Sequence, residues 1–152
     1  RRDLVRSRGL GDVYKRQVGR LLAVNLSLLI ACLPFFGDKL LDGSVLFLED
    51  VSESVDSIER YLWALRHYPT FARVKGVVFS ALTETRRASN DYRLRDVLTR
   101  WAQEAGIPCF IGFPAYHGKY IKHCLPIGGT VEIDSETGTV TLLSLGGALW
   151  NS

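Results

Sequence analysis

Apolar positions along this chain alternate between the spacing of strands and that of helices. Val45 to Leu48 is an unbroken apolar run with the length of a buried strand, and Val55, Ile58, Leu62 and Leu65 then fall on the i, i+3, i+7, i+10 stripe of an amphipathic helix. Ser52 or Ser54 supplies its N-cap, and Pro69 ends it. The same alternation follows: a strand at Lys75-Gly76-Val77-Val78-Phe79, a helix marked by Tyr92, Leu94, Val97, Leu98 and Trp101, Gly106 at its C′ position, and a third strand from Ile107 to Phe113. Val131-Glu132-Ile133 and Thr139-Val140-Thr141-Leu142 alternate strictly around Ser135-Glu136-Thr137-Gly138, which predicts a β-hairpin. Strands alternating with helices predict an α/β domain: a compact sheet with flanking helices and a C-terminal hairpin.

The segment RQVGRLLAVNLSLLIACLPFF reads differently, because Leu21 to Gly37 carries no charge. Its pattern fits a buried helix started by Asn25 and stopped before Pro34. A competing reading is a lipoprotein signal ending at Cys32. Asn25, Ser27 and Pro34 interrupt the run, and it is shorter than the roughly 20 apolar residues a spanning helix needs.

Charge changes the picture only at the N-terminus. Residues 1–17 supply six of the nineteen basic residues, and Gly11 to Gln17 resembles the translation of a transposon adaptor, so residues 1–17 are set aside as a non-native cloning scar. Without them the chain has thirteen basic and fourteen acidic residues, and the formal charge falls from +3 to −1. The basic balance is then no argument for nucleic acid. Residues 18–152 form one domain, expected to be part of a longer protein. Cys32, Cys109 and Cys124 are odd in number and far apart, which fits a reducing, cytoplasmic setting better than a disulfide framework.

Candidate chemistry gathers at the predicted C-terminal ends of the strands, the edge where open α/β sheets bind ligands. Glu49 and Asp50 stand where the first strand runs out, and His117 follows the third, in GFPAYHGK. A Glu49 carboxylate accepting a hydrogen bond from one ring nitrogen of His117 would fix the tautomer and leave the other nitrogen to act as a base. Plainer readings stand beside this: Asp50 or Glu49 caps the following helix, and His117 is a solvated loop residue. Cys109, His117, His123 and Cys124 lack the close-pair spacing of a metal site. Arg86, Arg87, Arg93 and Arg95 read as a solvated helix face.

Four stretches taken in order, GRLLAVNLSLLIACL, VLFLEDVSESVDSIERYLWAL, RVKGVVFSAL and IPCFIGFPAYHGKYIKHCLPIGGTVEID, resemble the C-terminal domain of the LD-carboxypeptidase family of serine peptidases. This family includes murein tetrapeptide carboxypeptidases and microcin C immunity peptidases. The most specific element is the FLED strand end followed, 68 residues later, by a Gly-flanked His before Leu-Pro-Ile-Gly. The resemblance implies a swivelling β/β/α-like domain that contributes Glu49 and His117 to a Ser-His-Glu triad, with Asn25 near the substrate site. It further implies a murein or related peptide as substrate, no metal or organic cofactor, no nucleic acid or membrane partner, and a nucleophilic serine on an N-terminal domain absent from this chain; it leaves homodimerisation open. None of the serines here sits in a Gly-x-Ser-x-Gly elbow, so the fragment alone is expected to be inactive. Ala23-Val24 and Lys119-Tyr120 depart from the family's habit and put substrate preference in question. The alternative from another class is a non-enzymatic α/β binding module, of the kind a secreted lipoprotein carries.

Overall fold

The computed structural model describes residues 2–6, 8–10, 16–83, 85, 93–114 and 123–146. The stretches carrying Arg86, Arg87 and Tyr92, and His117, Lys119 and Tyr120, lie outside the described residues. In chain order the elements are β1 (Arg2–Arg6), β2 (Arg8–Leu10), β3 (Arg16–Asn25), α1 (Leu26–Leu41), β4 (Ser44–Val51), α2 (Val55–His67), a 3-10 turn at Pro69–Arg73, β5 (Gly76–Thr83), α3 (Leu94–Ala105), β6 (Cys109–Ile111), β7 (Thr130–Asp134) and β8 (Thr139–Ser144).

All eight strands belong to one sheet, ordered β1-β8-β7-β3-β4-β5-β6-β2. The strands β3, β4, β5 and β6 run parallel, each joined to the next through a helix, and the β7–β8 hairpin adds antiparallel to β3. The expected α/β sheet with flanking helices and a C-terminal hairpin is therefore the observed architecture. The strands β1 and β2, neighbours in the chain, pair with opposite edges of the sheet, β8 and β6. Because one residue separates them, those edges must curl toward each other.

Each central strand buries both faces, which is why its sequence reads as a continuous apolar run. Leu22, Leu46, Leu48, Val77, Phe79 and Cys109 face the helices. Leu21, Val45, Phe47, Val78 and Phe110 point into the curl, against Phe113 and the hairpin residues Val131, Ile133 and Val140. The helices α2 and α3 are tied by the buried Trp101 indole, whose Nε1–H donates to the Leu62 carbonyl at 2.7 Å, and by the ion pairs Arg66–Glu104 and Arg100–Glu59. Phe71 and Phe79 meet the Trp101 ring edge-on at 5.6 and 5.7 Å.

The sequence assigned no element to the residues just before Asn25, and they form β3, a central strand; the run Leu21 to Val24 is apolar on both faces and has no period to separate strand from helix. The expected helix does begin after Asn25, but its expected stop before Pro34 is wrong: α1 runs through Pro34 to Leu41. Proline removes one N–H, yet Leu33, Gly37 and Leu41 remain buried against the sheet and the second helix, and that packing outweighs one lost bond. Leu21, Leu22, Leu26, Leu29 and Leu33 belong to the core, so cleavage at Cys32 would remove a central strand; this counts against a lipoprotein signal here. The outer face of α1 is apolar in a different place, with Leu28, Phe35 and Phe36 exposed. Cys32, Cys109 and Cys124 are all free thiols. Among the described residues no helix is long and apolar enough to cross a membrane.

Gly37 offers a test of the α1–α2 contact. A glycine-to-alanine change inside a helix ordinarily stabilises by about 1 kcal/mol. Here a Cβ would lie 2.5 to 2.6 Å from the Tyr68 ring. Gly37→Ala is expected to lose about 1 kcal/mol through overpacking, read as a Tm lower by roughly 2–4 °C. A higher Tm would show that the Tyr68 ring does not fill that space.

Candidate active site

The sheet's C-terminal rim is built where β3 turns into α1 and β4 runs beside it. The two strands are parallel and place Asn25 opposite Glu49. Asn25 has extended backbone and caps α1: its side-chain carbonyl oxygen accepts from the Leu28 N–H at 3.1 Å and the Ser27 hydroxyl at 2.7 Å. Its amide donates to Asp50 Oδ1 at 3.0 Å. Asp50 Oδ2 accepts the Ser27 backbone N–H at 2.9 Å, and Oδ1 also accepts the Val51 N–H at 2.8 Å. Asp50 is only 3% exposed, so these donors replace the water it has lost.

The reading of Asp50 as a cap for the following helix is therefore wrong in its target. Ser54 caps α2, accepting the Ser57 N–H at 3.1 Å, while Asp50 serves the N-terminus of the preceding helix. The cause is the alternation of β4, which turns Leu46, Leu48 and Asp50 to the helix-bearing face, where the first N–H groups of α1 and its dipole favour a negative charge.

The same alternation sends Glu49 the other way, onto the inward face that Phe47 occupies. Glu49 is half-buried. The β4–β5 ladder slips at this level: Leu48 pairs with Phe79 but Asp50 pairs with Leu82, so Ser80 and Ala81 together oppose Glu49. A bulge of this kind re-aims side chains at a rim. Just beyond, Ser52 holds φ +61°, the left-handed region, with its N–H on the Thr83 carbonyl at 3.0 Å. Neither the bulge nor the Ser52 conformation is predictable from the local sequence.

His117 lies outside the described residues, but both flanks of its loop are described. Phe113 is buried and meets Phe47 edge-on, with ring centroids 5.0 Å apart and an interplanar angle of 82°. The His123 N–H donates to the Pro114 carbonyl at 3.0 Å, so the chain leaves and re-enters the described structure at one point. Phe113, the described residue next but one before that stretch, thus packs on the inward face beside Phe47, two positions before Glu49. Asn25 joins the same rim with its side chain engaged as a cap.

Of the residues weighed as metal ligands, Cys109, His123 and Cys124 are described. Cys109 is buried in β6, and burial pushes its thiol up to about 12, against a smaller opposite effect from a backbone hydrogen bond with Val77. At neutral pH it is an un-ionised core group. Cys124 is exposed, and among the described residues no cluster of three His, Cys, Asp or Glu is arranged to hold a metal ion.

Residues 18–133 match the LD-carboxypeptidase C-terminal domain family, and the match begins immediately after the segment set aside as an adaptor. The murein tetrapeptide carboxypeptidase of Pseudomonas aeruginosa is 28% identical over 127 residues, covering 82% of this chain and 41% of that protein. The crystal structure of muramoyltetrapeptide carboxypeptidase from Oxalobacter formigenes superposes with a TM-score of 0.73 at 25% identity, over 88% of this chain and 47% of its own. MccF, a microcin self-immunity protein, shares the fold with a TM-score of 0.71 at 24% identity, over 89% of this chain and 40% of its own. The chain spans about two fifths of the length of the curated relatives it matches.

Asp50→Ala leaves the Asn25 amide and the Ser27 N–H without their buried acceptor. The expected cost is about 2–4 kcal/mol in urea unfolding, with Asp50→Asn losing roughly half as much because one oxygen survives. A change within about 0.5 kcal/mol for Asp50→Ala, the range of an ordinary surface substitution, would show that this carboxylate does not hold the start of α1.

Proposed function

This chain belongs to the LD-carboxypeptidase family through its C-terminal domain, and from that membership we propose that it is the Glu- and His-bearing half of a serine carboxypeptidase. The protein it completes hydrolyses a peptide bond by acyl transfer to water. A serine on an N-terminal domain attacks the scissile carbonyl; His117 takes the hydroxyl proton and returns it to the leaving amine; Glu49 orients the imidazole and stabilises its charged form. Water then attacks the acyl-enzyme with His117 again as base, releasing the acid and restoring the serine. The family points to the bond between the L-centre of diaminopimelate and a terminal D-alanine in murein tetrapeptide, and so to peptidoglycan recycling in the cytoplasm. Three free cysteines fit a reducing compartment. Asn25 is the proposed substrate contact at the same rim.

The observation that supports this reading is the packing of the residues that lead to its two groups. Glu49 and Phe47 share the inward face of β4, and Phe113, four residues before His117 in the sequence, packs against Phe47. Residues i and i+2 of a strand are about 7 Å apart, so Glu49 lies close to the described flank of the His117 stretch, which supports the reading. The absence of a Gly-x-Ser-x-Gly elbow from the chain, together with its share of the relatives' length, supports a nucleophile supplied by a further domain.

In the protein restored with its N-terminal domain, Glu49→Gln and His117→Ala should each lower turnover of a murein tetrapeptide by about 10³-fold or more while far-UV circular dichroism stays unchanged. The fragment alone should show no hydrolysis. Wild-type rates in both variants would end the assignment, and release of alanine by the isolated fragment would end the two-domain version of it.

A further inference from the structure

One polar atom of the core is out of place. Ser80 lies in β5, within the run Val77-Val78-Phe79-Ser80-Ala81, and is 9% exposed. Its hydroxyl is buried with no hydrogen-bond partner, alone in this respect among the described side chains. A buried hydroxyl without a partner costs about 1–3 kcal/mol, and most native buried polar groups are satisfied. An alanine would remove that cost and pack as well.

Its position suggests what the hydroxyl is for. Val77 and Phe79 face the helices while Val78 faces inward, so the alternation turns Ser80 inward, onto the face Glu49 shares. The bulge between Leu48 and Asp50 sets Ser80 and Ala81 against Glu49, which makes Ser80 its cross-strand neighbour. The buried cluster of that face is otherwise apolar, formed by Leu21, Val45, Phe47, Val78, Phe110 and Phe113 with the hairpin. Glu49 is the carboxylate one ladder step from the hydroxyl.

We propose that Ser80 is a positioning residue: in the assembled active site its hydroxyl donates to one carboxylate oxygen of Glu49 and turns the other oxygen toward His117. This rests on the triad reading above. Glu49 has a flexible side chain, and a second donor restricts it to the rotamer that meets the imidazole. The stability cost of the unsatisfied hydroxyl is then the counterpart of a hydrogen bond made in the working enzyme.

The test is Ser80→Ala in the restored two-domain protein, compared with Ser80→Thr, which keeps a hydroxyl on a residue suited to strands. Ser80→Ala should lower kcat by about tenfold or more with KM unchanged, the size expected for a lost hydrogen bond to a charged group. Its Tm should equal or exceed wild type, and Ser80→Thr should recover most of the rate. Wild-type kcat in Ser80→Ala overturns the proposal; so does a drop in Tm alongside the lost activity, or a threonine variant as slow as the alanine one. If Glu49→Gln abolishes turnover while Ser80→Ala does not, only the role of Ser80 fails; if Glu49→Gln is fully active, the triad reading fails first.

Discussion

A buried carboxylate at the end of a central strand organises the rim of this domain. Asp50 is withdrawn from water and repaid by three donors, the Asn25 amide and the Ser27 and Val51 N–H groups. Two of these belong to the junction of β3 with α1, so one side chain of β4 fixes where the neighbouring strand stops and the helix begins. This contact joins the last residue of β3 and the first turn of α1 to β4.

Adjacent carboxylates here do different work because a strand sends successive side chains to opposite faces. Asp50 turns to the helices and meets donors that are part of the fold. Glu49 turns into the curl of the sheet, onto the face where Phe47 packs against Phe113. The bulge in the β4–β5 ladder at this level and the left-handed Ser52 just after it mark the rim as the least regular part of the parallel sheet.

The remainder of the domain serves to hold that rim. Helices on one face and a hairpin-covered curl on the other bury both sides of β3, β4 and β5, which keeps the strand ends in fixed register. The Asp134 carboxylate closes the hairpin turn by accepting from Glu136 and Thr137 N–H groups while pairing with Arg16. Burial alone would raise its pKa, but the Arg16 hydrogen bond and charge with the two N–H groups outweigh that and hold it below the ordinary value. A lowered carboxylate pKa contributes stability at neutral pH that is lost as pH falls through the native value, so the hairpin weakens only in acid. Arg16 belongs to the segment set aside as an adaptor, and it nonetheless makes this pair.

Local sequence determined the parts whose signals are local. The stripe from Val55 to Leu65, Ser54 as a cap, Gly106 at φ +64°, the hairpin around residues 135–138 and the buried strand at Val45 to Leu48 were legible because period, cap and turn chemistry act over a few residues. Glu49 and Asn25 were legible as rim residues for the same reason, since each ends a predicted element or begins one. Tertiary structure decided what depends on partners far along the chain. It made Leu21 to Val24 a strand by burying both its faces, carried α1 past Pro34 by packing the turns on either side, and gave Asp50 to the preceding helix, because β4 lies beside β3 and not because of any residue near Asp50. It also placed an unpartnered Ser80 hydroxyl across from Glu49, through a ladder slip that no local pattern encodes. Sequence thus names the elements and their ends, while register between strands, fixed by the shared burial of distant residues, decides which side chains meet.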